Sequence, residues 1–500
     1  MNRELLLAID IGTTNSKGAL FTLDGEVAAS ASCRHQVSHP HPGWAEHDAV
    51  EVWWKEFCFL CRKLLDHENI SAKDIISVGI SSLTPAVLPV DRQGEPLRPA
   101  MLYSLDTRAA QEIRDINRTL GETYSLQENK RPISPKSTGP KILWIRNHEP
   151  EVFANTAYYM GAPTFLVHRL TGEVVADYGC YKLAGLPFSL KAFGWDHRAC
   201  EACGVRMEQL PKLRFATELA GTVTEEAARH TGLAPGTPVA VGTGDFLAET
   251  LSYGTDFLGL PQISYGTCVG VDNGNDHASI LFPDYVPNVN QKTVPGGSMS
   301  NGCGNIDWMI SMLSGMEPGK RLDSELLAHF AQTVPAGSNG LVMLPYFNGE
   351  KTPFDDPEAK GLLFGLRMSH TQADLYKAAL EGTAYAIRHV LDMKPGGHDR
   401  RQAVVMGGGI NIPGLLQTVS DVTGYRQTTL ESYNGSLVGD AFIAGMACGV
   451  FQERSEINAW VKTSRTIEPS DGVKEVYDRR YQMYLDLYQA VSGLMHRPCL

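Results

Sequence analysis

Two stretches of this chain share one pattern, and few arrangements accommodate both. LLLAIDIGTTNSKGALFTLDGEV, residues 5–27, is an apolar run ending at Asp10, a bend of Gly12, Thr13, Thr14, Asn15 and Ser16, and a second run from Lys17 to Phe21. QISYGTCVGVDNG, residues 262–274, is again an apolar run, a Gly266-Thr267 bend and an apolar run. Runs this short are strands rather than helices. Each stretch therefore predicts a hairpin, and Asp24-Gly25 adds a strong hairpin signal just after the first. A chain that uses the same hairpin twice is expected to consist of two related halves. The seam falls near residues 245–255, giving domains 1–248 and 249–500. Five hundred residues are also too many for a single hydrophobic core.

A bend of glycine and threonine offers backbone N–H groups and hydroxyls, here with Asp10 on one side and Lys17 on the other. Such a tip can cradle a phosphate while the carboxylate holds a hydrated metal ion. It is equally an ordinary tight turn. The net charge of −12 argues against nucleic acid or an anionic membrane as the main partner. No apolar run approaches the 18 residues of a membrane span. Ten cysteines without a secretion signal suit reduced thiols, and so a cytoplasmic location. The Cys58/Cys61 and Cys200/Cys203 pairs lie too far apart for a zinc module, whose pairs are roughly 15–20 residues apart.

Between the hairpins the signals are local. The segment through His35, His39, His41 and His47 is interrupted by prolines and reads as a solvated loop or edge. Within it Trp44 is either a pocket wall or a packing anchor. A helix is expected over Val50 to Leu65, then a buried strand from Ile75 to Ile80. Ser81, Ser82 and Thr84 follow that strand, at the end where open α/β sheets bind ligands. Asp106 precedes a helix and is either a ligand contact or its N-cap. Asp245 follows Gly242, Thr243 and Gly244, which let the backbone approach a ligand closely. In the second half Thr371-x-x-Asp374 predicts a capped helix. Further on, a buried strand leads into Gly407, Gly408 and Gly409, with Asn411 as N-cap, Pro413 in the first helical turn and Gly424 as terminator. Glycines between a strand and a helix N-terminus suit a flat ligand carrying phosphate.

Together these segments resemble the FGGY family of carbohydrate kinases, from Leu5 to about Tyr488. GLLFGLRMSHTQADLYKAALE, Gly361 to Glu381, fits the family's C-terminal signature throughout. DIGTTNSK, PGWAEHD, GTGD, YGT and GGG match further family segments, whereas the N-terminal signature is matched only in part, at Lys141 to Ile145. The resemblance implies an α/β chain of two ribonuclease-H-like, actin-like ATPase domains with a ligand cleft between them. It implies sugar and Mg-ATP as small-molecule partners and leaves a homodimer open. By the same resemblance Asp245 is the general base and Asp10 organises Mg²⁺ through water. Gly12, Thr13, Thr14, Lys17, Gly266 and Thr267 meet the phosphates, and Gly408, Gly409 and Asn411 hold the adenosine end. Trp44, Ser82, Thr84, Asp106 and Asp245 shape the sugar site.

The Pro-Gly-Trp-x-Glu-x-Asp segment and the overall register look closest to xylulokinase-like members, so a ketopentose such as xylulose leads. Those members carry Gln-Met-His-Gly where this chain has Leu83-Thr84-Pro85-Ala86, and the glycerol kinase Asn-Gln-Arg-Glu is also missing. Another ketose, a polyol or a sugar acid therefore stays open. From a different class, a non-catalytic actin-like nucleotide-binding protein is the competing expectation. A nicotinamide oxidoreductase is excluded for want of the dinucleotide fingerprint.

Overall fold

A computed structural model describes residues 3–288, 294–315, 322–397, 401–431 and 435–497. The chain forms two compact units. The first comprises Met1–Asp256, His277–Gln291 and Asn434–Val461, and the second Phe257–Asp276, Lys292–Tyr433 and Lys462–Leu500.

The main sheet of the first unit contains β1 (Leu5–Ile11), β2 (Asn15–Thr22), β3 (Val27–Arg34), β4 (Ile75–Ser82), β5 (Leu219–Thr222) and β6 (Pro238–Ala240), in the order β5-β6-β4-β1-β2-β3. The second unit has β7 (Gln262–Tyr265), β8 (Val269–Asp272), β9 (Gly297–Ser298), β10 (Gln402–Met406), β11 (Arg426–Leu430) and β12 (Thr463–Ile467), in the order β9-β8-β7-β10-β11-β12. Pairing directions agree strand for strand. In each sheet the hairpin (β1/β2 or β7/β8) is antiparallel and extended by an antiparallel edge strand. Its first strand then runs parallel to a neighbour (β4 or β10), which runs parallel to the next (β6 or β11), and an antiparallel strand closes the edge. The repeated pattern in the sequence is thus a repeated sheet.

Strand alternation decides which side chains face which layer. Leu5, Leu7, Ile9 and Ile11 enter a core with Trp53, Phe57 and Phe165. Asp10 falls on the opposite face, in phase with Leu6 and Ala8. Two glycines let a helix, Ser436–Ala447, lie against that face unusually closely. A Cβ on Gly79 of β4 would sit 1.9 Å from the Asp440 carbonyl oxygen, and one on Gly439 would sit 2.0 Å from that of Ala248. The helix is thereby held against β4 and against the short helix Asp245–Leu251. In the second unit Ile263, Tyr265, Tyr376, Tyr385 and Ile387 anchor the corresponding core.

The helix Gln372–Leu391 begins as the sequence indicates: Asp374 accepts hydrogen bonds from the Thr371 N–H and hydroxyl, at 2.8 and 2.7 Å. Asp374→Ala is expected to cost about 1 kcal/mol, read as a lower denaturation midpoint at unchanged slope.

Four local expectations are corrected. Asn411 is not an N-cap: Gly408–Asn411 forms a 3₁₀ turn, and the next helix is Leu415–Thr423 with Gly414 before it. Ile412, preceding proline, is extended (φ −70°, ψ 122°), so Pro413 lies outside the helix rather than in its first turn. Gly424 does end that helix, at φ 71°. The histidine-rich segment is not wholly solvated either. His47 is buried, takes a hydrogen bond on Nδ1 from the Trp53 indole (3.1 Å), and through Nε2 donates to the Thr13 carbonyl (3.1 Å). Burial and neighbouring His35 push its pKa down to about 4, so it stays neutral. Finally, Asp106 caps no helix; the following helix, Ala110–Leu120, starts after Ala109.

Candidate functional site

The carboxyl ends of the parallel strands in the first unit bring polar residues into one row. Lys17 on β2 pairs with Asp10 on β1, Asp10 pairs with Ser81 on β4, and Ser81 pairs with Thr243 on the short strand Thr243–Gly244. The chain then turns into the helix that begins with Asp245. Residues from four strands thus converge at the sheet edge where doubly wound folds place ligands.

Asp10 is only 3 % exposed. Its Oδ2 accepts a 2.6 Å hydrogen bond from Ser436 and faces the Lys17 ammonium at 3.4 Å. Its Oδ1 is buried with no partner among the described residues. A buried carboxylate oxygen without a donor is costly for a protein to keep, and a hard anionic oxygen is what Mg²⁺ prefers. No group of three or more His, Cys, Asp or Glu side chains able to hold a metal occurs among the described residues. The donor set therefore fits an ion that retains much of its water.

Asp245 is half-buried, and its Oδ1 accepts from the Phe246 N–H at 2.7 Å. Desolvation, reinforced by the negative charge of Asp10, pushes its pKa up to about 7. A carboxylate poised near neutrality is suited to taking a proton and returning it to solvent.

Around the hairpin tip, Thr13 Oγ1 meets the Tyr103 hydroxyl at 3.0 Å, and Gly12 N–H closes the bend on the Asn15 carbonyl at 3.2 Å. Thr14 is exposed. Buried Lys141 donates to the Tyr103 carbonyl at 3.0 Å, and its burial lowers its pKa to about 8. Trp44 carries the Arg108 guanidinium 3.6 Å from its ring centroid and meets Trp144 edge-on at 5.3 Å. Asp106 is occupied by the Ala45 N–H at 2.9 Å and by the Arg108 guanidinium at 2.5 Å. Trp44 and Asp106 thus form one packed bracket, which ties residues 43–46 to Arg108. Ser82 is buried with its hydroxyl unpartnered among the described residues, and Thr84 lines a small cavity with Asp177 and Cys180. Fully buried Asp177 accepts from Thr243 at 3.0 Å and is pushed up to about 6 by desolvation.

In the second unit, segments far apart in sequence line one cavity of about 630 Å³: Gly266 and Thr267 from the hairpin tip, with Gly408, Gly409 and Asn411. Its size suits a nucleotide. A Cβ on Gly409 would sit 2.3 Å from the Cys303 sulfur and 2.9 Å from Tyr265 Cβ. The glycine therefore keeps that wall thin.

Sequence reasoning passed over Ser436 and Asp440. The signal was present: in SLVGDAFIAGMA, residues 436–447, Asp440 is the one charged residue in a helix of small and apolar ones.

Duplicated ribonuclease-H-like sheets, a carboxylate cluster beside one hairpin and a glycine-walled pocket beside the other define a phosphotransferase of the actin-like ATPase architecture. Comparison with known proteins gives the particular group. The N-terminal domain model of the FGGY family of carbohydrate kinases matches residues 5–251, and the C-terminal domain model matches residues 263–448. The chain is 27 % identical to xylulose kinase from Staphylococcus xylosus, covering 97 % of this chain and 99 % of that one. It is 27 % identical to gluconokinase from Bacillus subtilis, covering 98 % and 96 %. The crystal structure of xylulose kinase from Rhodospirillum rubrum superposes with a TM-score of 0.82 at 29 % identity, over 99 % of this chain and 100 % of that one. The chain belongs to the FGGY family of carbohydrate kinases. Enzymes of this family use ATP with Mg²⁺, and no helix among the described residues is long and apolar enough to cross a membrane.

Proposed function

We propose that this enzyme phosphorylates a hydroxyl of a ketopentose such as xylulose, with Asp245 as the general base. The observation that carries the base assignment is Asp245 itself. Its pKa is raised to about 7, and it starts a helix two residues after Thr243, the register partner of Ser81, which itself pairs with Asp10. Bound Mg-ATP supplies the phosphoryl group, and the ion supplies charge neutralisation for it. The protein has little covalent work to do beyond positioning, screening charge and removing one proton. Asp245 accepts the proton of the substrate hydroxyl. In the first unit Lys17 and the Gly12–Thr14 bend would hold phosphate oxygens and Asp10 would hold the hydrated cation; within the second unit Gly266 and Thr267 would meet nucleotide phosphate. Gly408, Gly409 and Asn411 bind the adenosine end. Thr84 and Ser82 face the sugar, while Trp44 and Asp106 fix the loop that borders it.

Xylulose leads because xylulose kinases recur among the relatives. The Bacillus subtilis gluconokinase, matched over nearly the whole chain, keeps a sugar acid as the second reading. The nine cysteines within the described residues are all free, which supports a cytoplasmic home. A panel of xylulose, ribulose, other ketoses, polyols and gluconate, assayed for ADP release, tests the proposal. A ketopentose is expected to give the highest kcat/KM. Preference for gluconate would move the assignment to the sugar acid, and no acceptor above background ATPase would favour a non-catalytic nucleotide-binding protein.

A further inference from the structure

The helix Ser436–Ala447 brings a second carboxylate to Asp10. Ser436 and Asp440 are four residues apart and so share one helix face, just as Asp10 and Ser81 are register partners on neighbouring strands. The two pairs interlock: Ser436 Oγ donates to Asp10 Oδ2 at 2.6 Å, and Ser81 Oγ donates to Asp440 Oδ2 at 2.7 Å. All four residues are buried, Asp440 completely so. Each carboxylate therefore has one oxygen capped by a serine, while Asp10 Oδ1 and Asp440 Oδ1 are buried without a donor among the described residues.

Packing alone does not call for a charge at this position. The helix is otherwise small and apolar there, and the close approach at Gly79 involves the Asp440 backbone, not its side chain. The carboxylates of Asp10, Asp245 and Asp440 act on one another; Lys17 is ion-paired to Asp10 Oδ2 and acts on Asp245 and Asp440, and Lys136 acts on Asp245. A buried carboxylate oxygen that lacks a donor is costly to keep, and a bound cation would satisfy it.

We propose that Asp440 is a second anchor for the divalent cation beside Asp10, and that the free protein binds the ion before the nucleotide does. The inference rests on the assignment of the cation to Asp10. It extends that assignment by making the free protein, and not the nucleotide alone, the carrier of the ion. Two carboxylate oxygens leave the remaining coordination positions to water, as Mg²⁺ favours.

The test is Mn²⁺ binding, followed by electron paramagnetic resonance, on the full-length protein without nucleotide or sugar. Wild type is expected to bind one ion. Asp440→Asn keeps the size of the side chain and an oxygen for Ser81, and is expected to weaken binding at least tenfold. Thermal denaturation accompanies it. Without divalent ion Asp440→Asn is expected to unfold at the wild-type temperature or above, because a buried ionisable group has been replaced by a neutral one of the same shape, and to lose the rise that Mg²⁺ gives wild type. Should the asparagine variant fail to fold, Asp440→Ala is expected to show the same loss of Mn²⁺. Wild-type protein that binds no Mn²⁺ without nucleotide would overturn the proposal. So would an Asp440 variant that binds it within twofold of wild type, which would leave Asp440 a structural partner of Ser81. Because no turnover is measured, failure of the sugar-kinase assignment would appear in the acceptor panel and not here.

Discussion

Asp245→Asn is expected to lower kcat about 10²–10⁴-fold, the usual worth of a positioned base, while leaving folding and ATP affinity intact. Asparagine has the shape of aspartate and keeps the oxygen that accepts the Phe246 N–H at 2.7 Å, so the helix start is preserved. What disappears is the only function the amide cannot supply, acceptance of a proton. The pH dependence follows from the same environment. Asp245 must be ionised to act, and in the free enzyme its pKa is raised to about 7 by desolvation and by Asp10. Wild-type kcat/KM is therefore expected to fall as pH drops below about 7, and the residual activity of Asp245→Asn to be level across that range. Stability has the opposite sign. A carboxyl group whose folded pKa lies above its unfolded value is favoured in the folded state when protonated. Wild-type stability accordingly declines as pH rises from about 4 towards 7. The asparagine variant should lack this decline. Near-full kcat in the variant, or a wild-type profile flat through neutrality, would remove Asp245 from the role of base.

The hairpins and the glycine turns were legible because each is a local signal. An apolar run, a Gly-Thr bend and a second run specify strand, turn and strand without outside help, and the sheets bear this out in both units. The capping box at Thr371 and Asp374 is local in the same way. Local rules failed where proline and glycine competed. Asn411 has the chemistry of an N-cap, but Pro413 forces Ile412 out of the helical region and Gly414 takes a left-handed turn (φ 78°), so the helix waits until Leu415. His47 was misread because its burial depends on Trp53 and on the Thr13 carbonyl, and the latter comes from an element 34 residues away. The two compact units are not continuous in sequence. His277–Gln291 and Asn434–Val461 belong to the first unit although they follow the second hairpin. No periodicity announces such a return. It is also why nothing local joins Asp440 to Asp10, 430 residues away: the meeting of the two is a property of the sheet and not of any stretch of sequence.

Gly79→Ala provides the severest structural test, because it asks for one methyl group where none fits. The added Cβ would lie 1.9 Å from the Asp440 carbonyl oxygen and 3.2 Å from the Ala444 side chain. The first of these neighbours is helix backbone, so no rotamer change relieves the contact, and strand and helix must part. Overpacking of this kind costs about 1–3 kcal/mol, occasionally more, and a clear fall in melting temperature is expected. Gly493→Ala is the matched control: it lies in the helix Lys474–Met495 with nothing within 4 Å of the new Cβ. There alanine is favoured over glycine by about 1 kcal/mol, so the control should be unchanged or slightly more stable. The damage at Gly79 is also expected to reach the chemistry. Moving the helix separates Ser436 from Asp10 and Asp440 from Ser81, contacts of 2.6 and 2.7 Å that tolerate little displacement. Activity measured well below the melting transition should therefore fall as well. A Gly79→Ala protein as stable and active as wild type would mean that strand and helix can separate without cost. The carboxylates would then owe their placement to something other than this close contact.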